Sequence, residues 1–372
     1  MAQLKNYYLS YLKDLFLKTD RLISLVFFVT NKCNLKCSHC FYWKEVNKTD
    51  NELALEEIDK FSKSIGNFLS LSLTGGEPFL RNDIVQIAEI FYRNNQIRNL
   101  NIPTNGTLTE RTICSVKEIL SRCPNLSFNL GLSLDGLRET HDRIRQSKGV
   151  FDKALEIYYK IKDLTTQNPR LSIEIITVMS LFNQNKLDEF YDFVIGELKP
   201  TSVNLVPVRG EPKDTMSLDI DIGIYEKLIR RLQKEFLSQK ISGYNNFSFS
   251  EYTLALRILS PALAAKIIKT RKYQTPCYAG SLSGVLYSNG DLFACELLDK
   301  KIGNIRETDY DFNKLWFSNQ GRELRKYIKK TKCFCYHPCN FTVNILFNPM
   351  FIPQLLFWYI YFKLTRLRKQ LL

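Results

Sequence analysis

Six strand-like runs, each followed by a helix-like one, occupy the chain from Leu22 to about residue 240 and restrict its architecture more than any other feature. The strand-like runs fall at 22–30, 69–74, 98–103, 128–134, 172–180 and 201–208. Helical periodicity falls near 54–66, 82–95, 109–121, 151–167, 186–196 and 224–240. Strand then helix, repeated, implies right-handed βαβ units and a parallel sheet with helices outside. Six units are too few to close an eight-fold barrel. The expected fold is therefore α/β, an open, partial (β/α)6 barrel with its chemistry at the C-terminal ends of the strands.

The 372 residues are 45% hydrophobic and 24% charged, which suits a globular chain and excludes a disordered or collagen-like one. Ten cysteines stand at 33, 37, 40, 114, 123, 277, 295, 333, 335 and 339. No secretory signal is visible, so a reducing cytoplasm is expected, where clustered thiols serve as metal ligands more often than as disulfides. Cys33-Asn-Leu-Lys-Cys37-Ser-His-Cys40 follows the first strand directly. Three thiolates on one short loop can hold three irons of a [4Fe–4S] cube and leave the fourth open. The alternative is zinc, with His39 as a fourth ligand.

The Cys-x-x-x-Cys-x-x-Cys loop resembles the signature of the radical S-adenosylmethionine (SAM) enzymes, and the resemblance runs from about 22 to 210. Thr74-Gly75-Gly76-Glu77-Pro78 is similar to the family's Gly-Gly-Glu-Pro motif, Pro103-Thr-Asn105-Gly106-Thr to its Thr-Asn-Gly turn, and Leu132-Ser133-Leu-Asp135-Gly136 to its Ser-Leu-Asp-Gly segment. His141-Asp-Arg-Ile-Arg145 and Gly149-Val-Phe151 follow, as in the subfamily that carries C-terminal cluster domains. Each motif has an ordinary structural counterpart: Gly75-Gly76 a βα turn, Asp135 a helix N-cap, and His141 a structural residue on a solvated face beside Asp142 and Arg143. The four motifs in order, each at a strand end, favour the functional reading. The resemblance implies a TIM-like partial barrel whose cluster, held by Cys33, Cys37 and Cys40, chelates the amino and carboxylate groups of SAM. Gly75, Gly76, Glu77, Asn105, Ser133, Asp135 and Arg145 are the expected SAM-site residues, with Glu77 on the methionyl amine. One-electron reduction would cleave SAM to a 5′-deoxyadenosyl radical that abstracts a substrate hydrogen, with a flavodoxin or ferredoxin as reductant.

Past residue 250 a helical stretch (251–269) leads to Cys277, a hairpin around Ser288-Asn289-Gly290-Asp291, Cys295, and Cys333-Phe-Cys335-Tyr-His-Pro-Cys339. This resembles the twitch domain, the short form of the SPASM domain. It implies one auxiliary [4Fe–4S] cluster on Cys277, Cys295 and two of Cys333, Cys335 and Cys339; a structural zinc is the alternative. Cys114 and Cys123 read as buried small apolar residues. The expected division is an N-terminal helix (1–21), the radical SAM barrel (22–250), a twitch-like domain (251–340) and a tail (341–372).

Charge is uneven: of a net +14, residues 320–372 carry +9, from ten basic residues and Glu323. Pro338 to Phe362 has no formal charge, and Lys363, Arg366, Arg368 and Lys369 follow with leucines interleaved. Aromatic anchors beside a basic segment suit a membrane interface; packing against the barrel and a true span are the other readings. Nucleic acid is not expected, because the aromatics form one apolar block instead of alternating with bases. The expected function is a hydrogen-abstracting radical SAM enzyme that oxidises a small-molecule, lipid-linked or peptide substrate by dehydrogenation or cross-linking, cytoplasmic and peripheral on the membrane face. The reading from a different class is a non-catalytic zinc- or iron-binding module that docks at the membrane.

Overall fold

The computed structural model describes residues 11, 19–48, 51–241, 243 and 250–371, with the side chains of 338, 339 and 366–371 outside the description. The helix expected over 1–21 lies almost wholly outside the described residues. Among the described residues nine strands form one sheet, in the order β6-β5-β4-β3-β2-β1-β7-β8-β9. The first six are β1 (Ser24–Thr30), β2 (Ser70–Gly75), β3 (Asn99–Thr104), β4 (Ser127–Ser133), β5 (Leu171–Met179) and β6 (Ser202–Pro207). All are parallel, and each pairs with the next in sequence. This is the α/β partial barrel expected from the alternation. The intervening helices are α1 (Leu55–Ile65), α2 (Ile84–Asn95), α3 (Thr109–Arg122), α4 (Arg138–Arg145), α5 (Val150–Gln167), α6 (Leu187–Phe193) and α7 (Ile222–Leu237). Their apolar stripes bury residues such as Phe61, Phe91, Ile119, Tyr158 and Phe190 against the outer face of the sheet. Asp221 starts α7 by accepting the N–H groups of Gly223 and Ile224, the usual satisfaction of a helix's first donors.

Beyond α7 lie α8 (Ser250–Thr270), β7 (Ser283–Leu286), β8 (Asp291–Phe293), β9 (Lys301–Asn304), α9 (Phe312–Trp316), α10 (Asn319–Lys330), α11 (Pro338–Leu346) and α12 (Ile352–Leu371). The 283–292 hairpin is β7 with β8, and β7 lies parallel to β1, with Ser24 opposite Ser283. The barrel sheet therefore continues into the cysteine-bearing C-terminal part. Arg306 and Tyr310 lock the two together by donating to the Glu57 carboxylate on α1 at 2.7–2.9 Å.

Residues 341–372, set apart in sequence as a tail, place Phe341, Val343, Ile345, Leu355 and Phe362 in buried clusters. The asparagines that interrupt this apolar run have partners: Asn340 accepts from Ser283, Asn344 accepts from the Tyr278 N–H, and Asn348 donates to Thr275. Among the described residues no single helix is long and apolar enough to cross a membrane. Asn340–Leu346 and Pro349–Thr365 meet the requirement together but are bent by 75°. Two residues depart from expectation. Cys123, which caps the C-terminal end of α3, is fully buried, whereas Cys114 is exposed on the helix itself. His141 is fully buried instead of solvated, and its Nδ1 accepts the Asp135 N–H at 3.1 Å.

Candidate active site

The loop after β1 carries Cys33, Cys37 and Cys40, and several backbone ties hold it in place. Asn47 clamps Cys33 from both sides, accepting its N–H (3.0 Å) and donating to its carbonyl (2.9 Å). Gly76 N–H donates to Thr30 O and Glu77 N–H to Lys32 O, so the end of β2 is laid along the loop. A Cβ at Gly75 would stand 2.1 Å from Thr30 O, and one at Gly76 2.1 Å from Lys32 O. Only glycine permits that approach. The segment after β6 closes the other side: Lys213 N–H donates to Cys40 O and Asp214 N–H to Ser38 O.

Glu77, 1% exposed, accepts from Asn105 N–H (2.7 Å), Thr104 Oγ1 (2.8 Å) and Phe79 N–H (3.3 Å). It thereby joins the C-terminal ends of β2 and β3. Asn105 donates in turn to Asn34 Oδ1 (2.8 Å), inside the cysteine loop. Burial raises the Glu77 carboxyl from 4.5 to about 7, against the lowering effect of those three donors. A raised carboxyl pKa means the folded chain binds the proton more tightly than the unfolded one. Its contribution is fully present below pH 4.5 and is lost as pH rises through 7. At about 1.4 kcal/mol per unit, the loss is on the order of 3 kcal/mol. The ligand-free protein should therefore melt lower as pH rises across this window, and Glu77→Gln should flatten that dependence in calorimetric scans.

Asp135, just beyond β4, is fully buried, and Arg145 at the end of α4 grips its Oδ2 at 2.7–2.8 Å. The same guanidinium donates toward Cys37 Sγ at 3.7 Å. Burial would raise Asp135, but Arg145 and the nearby His39 and His141 hold it below its ordinary value. Burial pushes the thiols up, Cys33 to about 12 and Cys40 to about 11; at Cys37, Arg145 opposes the rise. His39 is driven down to about 4 by burial, so it stands neutral, with Nε2 3.8 Å from Asp135. Asp135 is no helix cap here, since Leu137 takes the N-cap position of α4. Ser133 lines the same cavity at the end of β4.

Four C-terminal cysteines, Cys277, Cys295, Cys333 and Cys335, lie near enough to perturb one another's ionisation. The side chain of Cys339 lies outside the described residues. Beside this group Glu296 is gripped by His337 Nε2 at 2.6 Å and Arg209 at 3.6 Å. Burial would raise Glu296, but these two neighbours hold it at about 2.

One cavity of about 1350 Å³ joins these places. It is lined by Cys33, Cys37, Cys40, Gly75, Gly76 and Glu77 at the top, by Arg209, Glu296 and Tyr336 at one side, and by the inward face of the strands below. Sequence reading did not single out that inward face. Ser70-Leu-Ser72-Leu, Asn99-Leu-Asn101-Ile, Ser127-Phe-Asn129-Leu, Ser172-Ile-Glu174-Ile and Ser202-Val-Asn204-Leu share one alternation. The period of two was the available signal: Leu71, Ile102, Phe128 and Ile173 point to the helices, and Ser72, Asn101, Asn129, Glu174 and Asn204 line the lumen.

The chemistry of the cysteine loop suits an iron–sulfur cube. It offers three soft sulfur donors and one adjacent cation, with a glycine strip beside them that leaves backbone accessible. Among the described residues no three His, Cys, Asp or Glu side chains converge on a point that one ion could occupy, whereas a cube takes each thiolate on a separate iron. A family model described as the radical SAM superfamily matches residues 27–194. That stretch holds most of β1 and all of β2 to β5 with the three-cysteine loop, and it is the part in which the chain is similar to the radical SAM superfamily. The chain is 27% identical over 329 residues to the Fe-coproporphyrin III synthase of Methanosarcina barkeri, covering 84% of the chain and 78% of the relative. It is 26% identical over 343 residues to the cysteine-type anaerobic sulfatase-maturating enzyme of Clostridium novyi, covering 83% and 84%. Among solved structures, native anSMEcpe with bound AdoMet matches with a TM-score of 0.57 at 23% identity, over 81% of this chain and 82% of that one. SuiB of Streptococcus suis bound to precursor peptide SuiA matches with 0.58 at 18%, over 86% and 70%. At those identities the likeness concerns the fold. Radical SAM enzymes use a [4Fe–4S] cluster with S-adenosylmethionine, so the radical SAM reading prevails over the non-catalytic docking module.

Proposed function

We propose that the chain oxidatively modifies its substrate by hydrogen abstraction in the lumen, with an auxiliary cluster as second electron acceptor. The reading rests on one observation: a single cavity touches the Cys33–Cys40 loop, the Gly75–Glu77 strip and the Glu296 side of the C-terminal cysteine group. Cys33, Cys37 and Cys40 would hold the [4Fe–4S] cluster; Gly75, Gly76, Glu77, Asn105, Ser133, Asp135 and Arg145 would form and brace the SAM site. When bound, these cofactors supply a 5′-deoxyadenosyl radical that takes a hydrogen atom from the substrate. The chain's own work is positioning. Gly75 and Gly76 leave room for a ligand along the backbone, Glu77 presents a buried carboxyl, and Arg145 balances negative charge at Cys37. Cys277, Cys295, Cys333 and Cys335 would hold the auxiliary [4Fe–4S] cluster, since these four lie within mutual electrostatic reach. A flavodoxin or ferredoxin would supply the electron. Anaerobic reconstitution tests the proposal. The expected result is about eight irons per chain, four for each cube, and 5′-deoxyadenosine formed from SAM; stoichiometric zinc without nucleoside would overturn it.

The protein would work in the cytoplasm on the membrane face. Met350, Leu356, Phe357, Ile360, Tyr361 and Leu364 present apolar surface around α12, 37–77% exposed, ahead of the basic end of the chain. Apolar anchors beside Lys and Arg suit an anionic bilayer interface. The variant Phe357→Ser/Ile360→Ser should lose co-sedimentation with anionic vesicles. Full retention of binding would remove this placement.

A further inference from the structure

The lumen has two chemically different walls. On the strand side, a hydrogen-bonded ladder crosses the barrel. Asn101 donates to Ser72 (3.2 Å), Asn129 to Asn101 (2.8 Å) and to Glu174 (3.2 Å), and Ser172 to Asn129 (3.1 Å). Arg257, reaching in from α8, pairs with Glu174, which is 4% exposed. Such a ladder inside a barrel presents amide and hydroxyl groups to whatever fills the space, where an ordinary barrel core would be branched aliphatic. The opposite wall and floor come from the C-terminal helices: Leu256 and Ala264 of α8, Phe341 and Leu346 of α11, and Ile352 and Leu355 of α12. These helices stand at the starts of the strands, the end remote from the cysteine loop, since Asn340 of α11 meets Ser283 opposite Ser24.

A second, open groove lies on the outer side of the α8–α12 seam, lined by Ile258, Leu259, Ala262, Pro353, Phe357 and Trp358. Gln233 borders both spaces, its side chain donating to Ile258 O at 2.9 Å. Pro261 stands on the lumen face of α8 and removes one of the helix's own hydrogen bonds there. The wall between lumen and outer groove is thus one interrupted helix thick, beneath the exposed apolar patch of α12.

We propose that the substrate is a membrane lipid that enters from the bilayer at the α8–α12 seam. Its hydroxyl- or amide-bearing headgroup would rest on the Ser72–Asn101–Asn129–Glu174 ladder, below the cysteine loop, and its hydrocarbon chain would lie against α8, α11 and α12. This deepens the function proposed above and rests on it for the chemistry, though not for the binding. The polar ladder lies between the reacting end and the apolar floor, the order that a headgroup followed by a tail requires. The bilayer as source follows from the exposed anchors and the +9 charge of residues 320–372.

The test uses alkyl glucosides of increasing chain length below their micelle concentrations, binding to the full-length protein by calorimetry. Affinity should rise about fourfold per methylene, the equivalent of about 0.8 kcal/mol, until the lumen is filled. Ser260 and Thr253 line the cavity from α8. Ser260→Phe or Thr253→Phe should end that rise at shorter chains. A flat series on the native protein, a slope unchanged in both variants (which places the chain on the outer face), or a soluble peptide that displaces every glucoside would overturn the proposal. Formation of 5′-deoxyadenosine, measured separately, distinguishes the two readings. Nucleoside formed with a flat series sinks the lipid substrate alone; a steep series without nucleoside supports the lipid site and sinks the radical chemistry.

Discussion

Cys37→Ala should abolish 5′-deoxyadenosine formation while leaving the C-terminal cluster intact. Of the three loop thiols, Cys37 alone is 9% exposed or less and receives the Arg145 guanidinium, at 3.7 Å. Removing it takes away both the proposed sulfur ligand and the side chain that Arg145 meets. SAM cleavage should fall to the background rate, a loss of at least about a millionfold if the enzyme lies within the usual range of acceleration. The backbone ties of the loop, through Asn47, Gly76 and Asp214, do not involve the Cys37 side chain, so the fold should survive. Electron paramagnetic resonance on the anaerobically reconstituted variant should show about half the native iron, in a single cluster type. Nucleoside formation at the native rate would mean that Cys37 is no ligand.

Arg145→Leu should give the largest loss of stability among single changes at the site. The Arg145–Asp135 pair is buried on both sides, 6% and 0% exposed, and Asp135 has further fixed duties. Its Oδ1 accepts the Val178 N–H at 2.9 Å, and its carbonyl accepts from Asn183 at 2.8 Å. Deleting the cation leaves an uncompensated carboxylate among His39, His141 and the strand ends. Breaking a buried pair in this way costs about 3–5 kcal/mol. Asp135→Asn in the same chain should recover most of that, because the neutral amide needs no counter-charge. Denaturant midpoints of the single and double variants would measure the difference. Equal destabilisation by both would show that the loss comes from packing and not from charge.

Much of the architecture was legible because it is written in short-range periodicity. Strand boundaries read from alternation lie within about two residues of those observed, and the three motifs at 74–78, 103–107 and 132–136 lie where β2, β3 and β4 end. The glycines were readable as motif letters, but their reason was not. That a Cβ at Gly76 would meet Lys32 O depends on a loop folded back from β1, more than forty residues earlier. The charged neighbours Asp142 and Arg143 suggest a solvated His141, but they face elsewhere on the short α4 and leave the imidazole buried.

Local spacing sufficed to establish the alternating βα order and the three-thiol loop, since both are properties of consecutive residues. Long-range packing was needed to bring Arg145 against Cys37, to gather four C-terminal thiols, and to turn an apparent tail into the floor of a lumen. Arg145 and Cys37 stand 108 positions apart, and Asn340 and Asn344 stand 57 and 66 from their partners; the energy of burying such contacts depends on what stands opposite, which no stretch of chain carries within itself.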